Sequence, residues 1–402
     1  MGTSGRGLRA GGDSAGAAGI LWVGVGLLWL AGIDLRVTML AVPPVLPLIH
    51  RDLGLNETGI AVLTGLPVVL FAAAAVPGSL LIARLGARRA LIMGILVVAV
   101  ASGLRGAAAS TALLFIMTFL MGVGIAVAQP AIPTLVQAWF PAWVVIATGI
   151  YVNGVLVGET LSASLTLPVV LPLVRGSWEL SFVVWGGFVL ATSLLMVWLT
   201  RLMPDVAASS RTLWWPDWNG AQTWQLGLLL GGAGAAYFGS NAFIPDFLRA
   251  SGRPQLIGAS LTMLNAGQLP VSLIAGLFAS KIVGRRQPFL LIGAATLGGL
   301  AVFLSQRGWG VVLGAGLLGF CLAFALVLIL ALPPLLATRG DVHRLSAGMF
   351  TIGYACSFAI PLLGGAAWDL SHVPAASFLP VAVGALLILA AAFMPALRPG
   401  RN

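Results

Sequence analysis

RLMPDVAASSRTLWWPDWNGAQ, residues 201–222, is the only long polar connection in a chain of 402 residues that is 59% hydrophobic and 8% charged. Six long apolar runs precede it and six follow. An ordinary soluble domain is roughly one quarter charged, so the solvent around these runs is lipid. Each is long enough to cross the ~30 Å hydrocarbon layer, which takes ~20 apolar residues in a helix. None alternates with period two, and a spanning element must satisfy its own backbone, so the runs are helices. The expected spans are 19–48, 58–83, 89–107, 110–138, 143–171, 178–201, 222–248, 256–282, 287–306, 309–337, 345–370 and 374–396. Trp214, Trp215 and Trp218 in the connection suit the headgroup level, where indole concentrates.

The expected organisation is a tail over 1–18, a six-helix bundle over 19–201, a linker over 202–221, a second bundle over 222–397 and a short C-terminus over 398–402. Fourteen Arg and Lys fall on the side holding both termini and the linker, six fall on the other, and Arg36 lies within the membrane. Arg and Lys collect on cytoplasmic loops, so both termini and the linker are expected in the cytoplasm and the chain in the cell membrane. The net charge of +10 then reads as a topology signal, and no nucleic acid is expected as a partner. The first apolar run is too long for the core of a signal peptide. Cys321, Cys356, His50, His343 and His372 form no ligand cluster, so neither a disulfide framework, a metal nor another cofactor is expected.

The two bundles echo each other. Ala131-Ile-Pro-Thr-Leu135 recurs as Ala331-Leu-Pro-Pro-Leu335, Gly149 and Gly154 match Gly348 and Gly353, and Gly86 before Arg88-Arg89 matches Gly284 before Arg285-Arg286. Two halves of like orientation form a parallel repeat, the architecture of the major facilitator transporters. The turn holding Arg84, Gly86, Arg88 and Arg89 resembles a worn copy of that superfamily's loop motif, with Ser79 and Ala83 in place of its first glycine and its aspartate. GIDLRVTMLAVPPVLPLI, VLTGLPVVL, LMGVGIAVAQPAIPTLVQAWF and RLSAGMFTIGYACSFAIPLLGG together resemble the cyanate and 2-nitroimidazole porter family within it. Arg36 matches that family's span-one pattern. Asp34 stands where the family has Asn, and Gln137 where it tends to carry Lys. The resemblance implies an all-α integral membrane protein with twelve transmembrane helices in two six-helix repeats, spans one, four, seven and ten lining a central cavity.

Asp34 and Arg36 stand in the middle of the first span. An ion at the bilayer centre costs at least ~3 kcal/mol, so each must face a partner or a wet cavity. Two residues along a helix is about 200° around it, so they cannot pair well with each other. Arg36 either offers its planar fork to a solute anion or pairs permanently with an acid such as Glu159. Asp34 is either a protonation site or an acceptor for a neighbouring helix. Glu159 either pairs with Arg36 when solute is absent, carries the coupling proton itself, or forms a structural pair. It adjoins Gly154, Gly158 and Ser162, a small-residue face for close packing. Mid-span polar groups on other helices complete the candidate solute site: Gln129, Tyr151 and Asn153 in one half, Tyr237, Asn241, Gln268 and Tyr354 in the other, with Asn265 beside Gln268. Pro43, Pro44, Pro133, Pro333 and Pro361 are expected to kink their helices around it. Arg105, ending span three beside Gly103 and Gly106, is expected to snorkel to the outer interface. Arg84, Arg88 and Arg89 are expected to set topology and latch the cytoplasmic face.

These residues point to a secondary transporter of a small polar or anionic solute (cyanate-like, nitrate-like or a small organic acid), working by alternating access as a monomer with protons as coupling ion. Proton-coupled efflux of a drug-like or nitroaromatic compound is the competing reading, and a membrane receptor without transport is one from another class. The chain has no Gly-x-x-x-x-Gly-Lys-Ser/Thr loop to hold a nucleotide, and no nucleophile–base constellation to make it an enzyme.

Overall fold

The computed structural model describes residues 10–55, 57–107, 110–204, 213–271, 274, 285–338 and 340–394. Every regular element among them is a helix. Among the described residues, ten helices are long and apolar enough to cross a membrane: Leu21–Leu53, Val62–Leu85, Ala87–Arg105, Thr111–Trp139, Val144–Leu173 and Trp178–Leu202 before the linker, and Gln287–Leu304, Gly310–Leu336, Val342–Ser371 and Pro374–Ala391 after it. They are spans one to six and nine to twelve. Span seven is the 30-residue helix Ala221–Ala250, made less apolar by Asn241, Asp246 and Arg249 near its end. Span eight begins as Ile257–Ala266. Of the rest of its expected length, residues 272–273 and 275–282 lie outside the described residues, as do 1–9, 56, 108–109, 205–212, 283–284, 339 and 395–402.

Spans one and five pack together in the first half and spans seven and eleven in the second. The first pairing is close because glycine makes it so. A Cβ on Gly154 would lie 2.1 Å from the carbonyl oxygen of Trp29, and one on Gly158 would lie 2.6 Å from that of Ile33. Backbone therefore meets backbone, the use small residues have between membrane helices. Between the halves, span two packs on span eleven and span five on span ten.

Span one breaks at Pro43-Pro44. Its first helix ends at Leu40, and a short 3₁₀ turn, Pro43–Val45, leads into the helix Leu46–Leu53. Pro43 and Pro44 bring no N–H to the carbonyls of Met39 and Leu40, and the Val42 N–H turns to the Met39 carbonyl at 3.4 Å, leaving that of Thr38 without its i+4 donor. Arg105 supplies the replacement, with its Nη2 2.7 Å from the Thr38 carbonyl oxygen and 2.9 Å from Ser102 Oγ. The guanidinium stacks 4.5 Å from the Phe182 ring centroid and is 0% exposed. This corrects the expectation of a snorkelling side chain: the free carbonyl of span one and the face of Phe182 hold the head group inside the bundle.

Candidate functional site

Arg36 sits one turn before the end of the first helix of span one, on the face turned toward the other half. Its Nε lies 3.5 Å from Oε1 of Glu159 on span five, the partner that the Gly154–Gly158 crossing brings level with it. Its Nη2 donates to the Tyr354 hydroxyl on span eleven at 3.3 Å, and its Nη1 lies 3.7 Å from Met39 Sδ. The Phe71 ring lies 5.3 Å below the guanidinium. Gln129 Nε2, just before the Pro130 break in span four, donates to the same Tyr354 hydroxyl. Phe71 meets the Tyr354 ring edge-on at 5.1 Å, while Phe350 stacks on it at 5.9 Å. One tyrosine of the second half thus gathers polar side chains from spans one and four of the first.

Arg36, Glu159 and Tyr354 line a narrow cavity of about 80 Å³ between the halves, with Tyr237 and Gln268 on its opposite side. Glu159, Tyr237 and Gln268 also line a wider cavity of about 580 Å³ that continues past Thr160, Ser164, Asn241 and Asn265. A chain of hydrogen bonds ties the polar groups of the second half together. Tyr237 donates to Asn265 Oδ1 at 2.8 Å, Gln268 to the same oxygen at 3.3 Å, and Asn265 Nδ2 to Asn241 Oδ1 at 3.1 Å. The Arg36–Glu159 pair is partly accessible, with side-chain exposures of 13% and 23%. Among the described residues it is the only ion pair away from the helix ends. Removing two charges from water costs several kcal/mol per ion and is repaid only by close pairing or remaining hydration, and the cavity permits both.

The lining of the wider cavity lies toward one face. Span six ends and span seven begins at the linker, so the late residues of spans one, five and seven (Leu40, Ser164, Asn241) lie toward the opposite, far face. On the linker face the halves are shut. Gln137 of span four donates through Nε2 to the Pro334 and Ala337 carbonyls of span ten at 2.7 and 2.9 Å. Ser79 Oγ donates to the Trp214 carbonyl at 2.7 Å and Arg344 Nε to that of Trp215 at 2.9 Å, fastening the linker to both halves.

Not every polar residue expected at the site reaches it. Asp34 turns away from Arg36 into span six, is 0% exposed, and accepts from Thr192 Oγ1 at 2.7 and 2.9 Å on its two oxygens. Asn153 accepts from the Trp29 indole at 3.0 Å, and Tyr151 is buried, and neither lines the two cavities. Of the loop-motif residues, Gly86 makes the turn with φ +83°, Arg88 donates to the Thr200 carbonyl at 3.1 Å, and Arg84 and Arg89 are exposed. Phe71, Met39 and the apolar walls Leu322 and Leu326 are additions from the structure. An apolar residue in an apolar span carries no signal that would single it out.

Residues 25–220 match the family model described as Major Facilitator Superfamily. The cyanate transport protein CynX of Escherichia coli strain K12 is 28% identical over 386 residues, covering 92% of this chain and 96% of that one. The 2-nitroimidazole transporter of the same organism is 25% identical over 264 residues, 65% of this chain and 66% of that one. Among solved structures, the crystal structure of the transporter FucP in the outward conformation has a TM-score of 0.73 at 13% identity, over 92% of this chain and 97% of that chain, a likeness of fold.

Proposed function

This chain belongs to the major facilitator superfamily and is a multi-pass membrane transporter, and from that premise we propose that it carries a small anionic solute coupled to protons. The observation that carries this reading is the Arg36–Glu159 pair on a cavity that lies between the halves and extends toward one face. With Glu159 ionised, the guanidinium is neutralised. A proton on Glu159 releases the fork, which then accepts an anion through charge-assisted hydrogen bonds. Tyr354, joined to Arg36 and Gln129, links the occupancy of that fork in the first half to the second. The linker face and both termini are cytoplasmic in this scheme, so the cavity faces outward and the Gln137 latch opens on the inward swing. The relatives named for cyanate and for 2-nitroimidazole support a small solute.

Proteoliposome transport tests the assignment, with solutes drawn from cyanate, nitrate and short carboxylates. Arg36→Ala abolishes uptake. Glu159→Gln keeps solute exchange across a vesicle without a gradient and loses proton-driven accumulation. Asp34→Asn, facing Thr192 rather than the cavity, keeps both. Unchanged uptake in Arg36→Ala removes the anion site, and gradient-driven accumulation in Glu159→Gln removes it as the proton carrier.

A second reading, efflux of a neutral nitroaromatic or drug-like compound, is favoured by the apolar wall of Leu230, Leu322 and Leu326 facing Arg36. It requires transport that survives Arg36→Ala.

A further inference from the structure

The narrow cavity has one charged corner and, apart from Tyr237, Gln268, Tyr354 and Ser357, an apolar lining. Arg36 and Glu159 come from the first half. The second half presents Leu230, Ala233 and Gly234 from span seven and Leu322, Ala323 and Leu326 from span ten. The polar groups that share this space are already engaged. Ser357 Oγ donates to the Gly353 carbonyl at 2.8 Å. Tyr237 donates to Asn265, Gln268 Nε2 to the same side chain, and the Tyr354 hydroxyl takes up both Arg36 and Gln129. Once Glu159 lets go, the guanidinium is the charged donor with capacity to spare, and the Tyr354 hydroxyl, which only accepts in these two bonds, keeps one hydrogen beside it.

Such a site treats a bare inorganic anion and an organic anion differently. Nitrate or cyanate held by the fork would turn its other oxygen or nitrogen atoms toward leucine and alanine side chains, with at most the one Tyr354 hydroxyl hydrogen to replace the lost water, and an unreplaced polar contact is costly. A polyol would leave many more such contacts unmade. A carboxylate on a short hydrocarbon body turns methylenes toward the same wall and gains from leaving water. The wall is also firm: a Cβ on Gly234 would lie 2.1 Å from Ser357 Oγ, so spans seven and eleven meet directly behind it.

We infer that the solute is an amphipathic organic monoanion, a carboxylate or its chemical equivalent on a short apolar body, with its head on Arg36 and its body against spans seven and ten. This rests on the anion-site reading of Arg36 above and narrows it. The test measures binding to the purified full chain in detergent for acetate, propionate, butyrate and valerate, with nitrate, cyanate and 1-butanol alongside. Affinity rises about fourfold for each added methylene, from the transfer free energy of one buried CH₂, and nitrate and cyanate bind no better than acetate. Leu326→Asn, at a partly exposed wall position, flattens the ladder, with a thermal melt confirming the fold. A flat ladder in the parent protein, tighter binding of nitrate or cyanate than of butyrate, or a ladder unmoved by Leu326→Asn overturns the inference. Loss of the carboxylates in Arg36→Ala alongside a flat parent ladder leaves the anion site standing without the apolar body. A full ladder in Arg36→Ala, or 1-butanol binding as well as butyrate, overturns the anion site itself.

Discussion

Arg105 carries a buried cation with no ion-pair partner among the described residues, and its Nε and Nη1 make no hydrogen bond. A charged donor to a carbonyl contributes about 1.5–3 kcal/mol, and a desolvated guanidinium on an aromatic face about 2 kcal/mol. The three N–H groups left unpaired on Nε and Nη1 cost about as much as those contacts return. The global balance of Arg105→Met is therefore near zero, and its effect is local. Without the Nη2 bond the Thr38 carbonyl loses the donor that pins the end of the first helix of span one above the Pro43-Pro44 break. The melting temperature of Arg105→Met stays within a few degrees of the parent, while the amides of residues 41–53 exchange about tenfold faster, the factor for about 1.4 kcal/mol of local opening. Unchanged exchange there, read by mass spectrometry, means that Arg105 does not hold the break. The misreading of this residue from sequence has a physical cause. Gly103-Leu-Arg-Gly106 at a span end looks like an interface signal, and nothing local reveals that a carbonyl 67 positions away has been stripped of its donor.

Elements were legible wherever a property belonged to one helix. Composition marks the long apolar runs, and the glycines of span five mark a close crossing without naming span one as the neighbour. What a single helix does not hold is its partner: Thr192 lies 158 positions from Asp34, and Tyr354 lies 318 from Arg36. Gln137 shows the same limit: the sequence marks it only as standing where the resembled family tends to carry Lys, and its contacts appear once span ten is placed beside it. The last four carbonyls of a helix have no partner within it. Span ten ends at Leu336, and Gln137 covers the Pro334 and Ala337 carbonyls there from the other half. Each such bond is worth about 1 kcal/mol net, so losing both moves a two-state equilibrium by about 2 kcal/mol, roughly 30-fold. Gln137→Leu shifts the molecule toward a form open on the linker face. Spin labels on cysteines at Ala142 and Thr338, with Cys321 and Cys356 replaced by alanine, report a longer distance population in that variant. A distance distribution identical to the parent's shows that the amide does not set the balance.

At the scale of the molecule, the far face is parted and the linker face is closed by hydrogen bonds from three separate elements. Packed interfaces of this kind are bistable rather than continuously deformable, so the bond set on the linker face and the gap on the far face are two aspects of one state. A transporter working by alternating access has to close the second to open the first. Ser164 on span five and Thr262 on span eight both line the wide cavity, one from each half, and both are exposed. Cysteines at these two positions, joined by a rigid bis-maleimide, hold the gap at its open width. The cross-linked protein retains solute binding from the far face, because the Arg36 corner lies deeper and is untouched by the bridge. It loses counterflow in proteoliposomes by at least tenfold, and cleavage of a reducible bridge of the same length restores it. The singly substituted proteins, treated with the same reagent, separate loss of motion from simple blockage of the cavity by a maleimide. Counterflow at the parent rate with the bridge in place would mean that the solute reaches the linker face without the halves moving against each other.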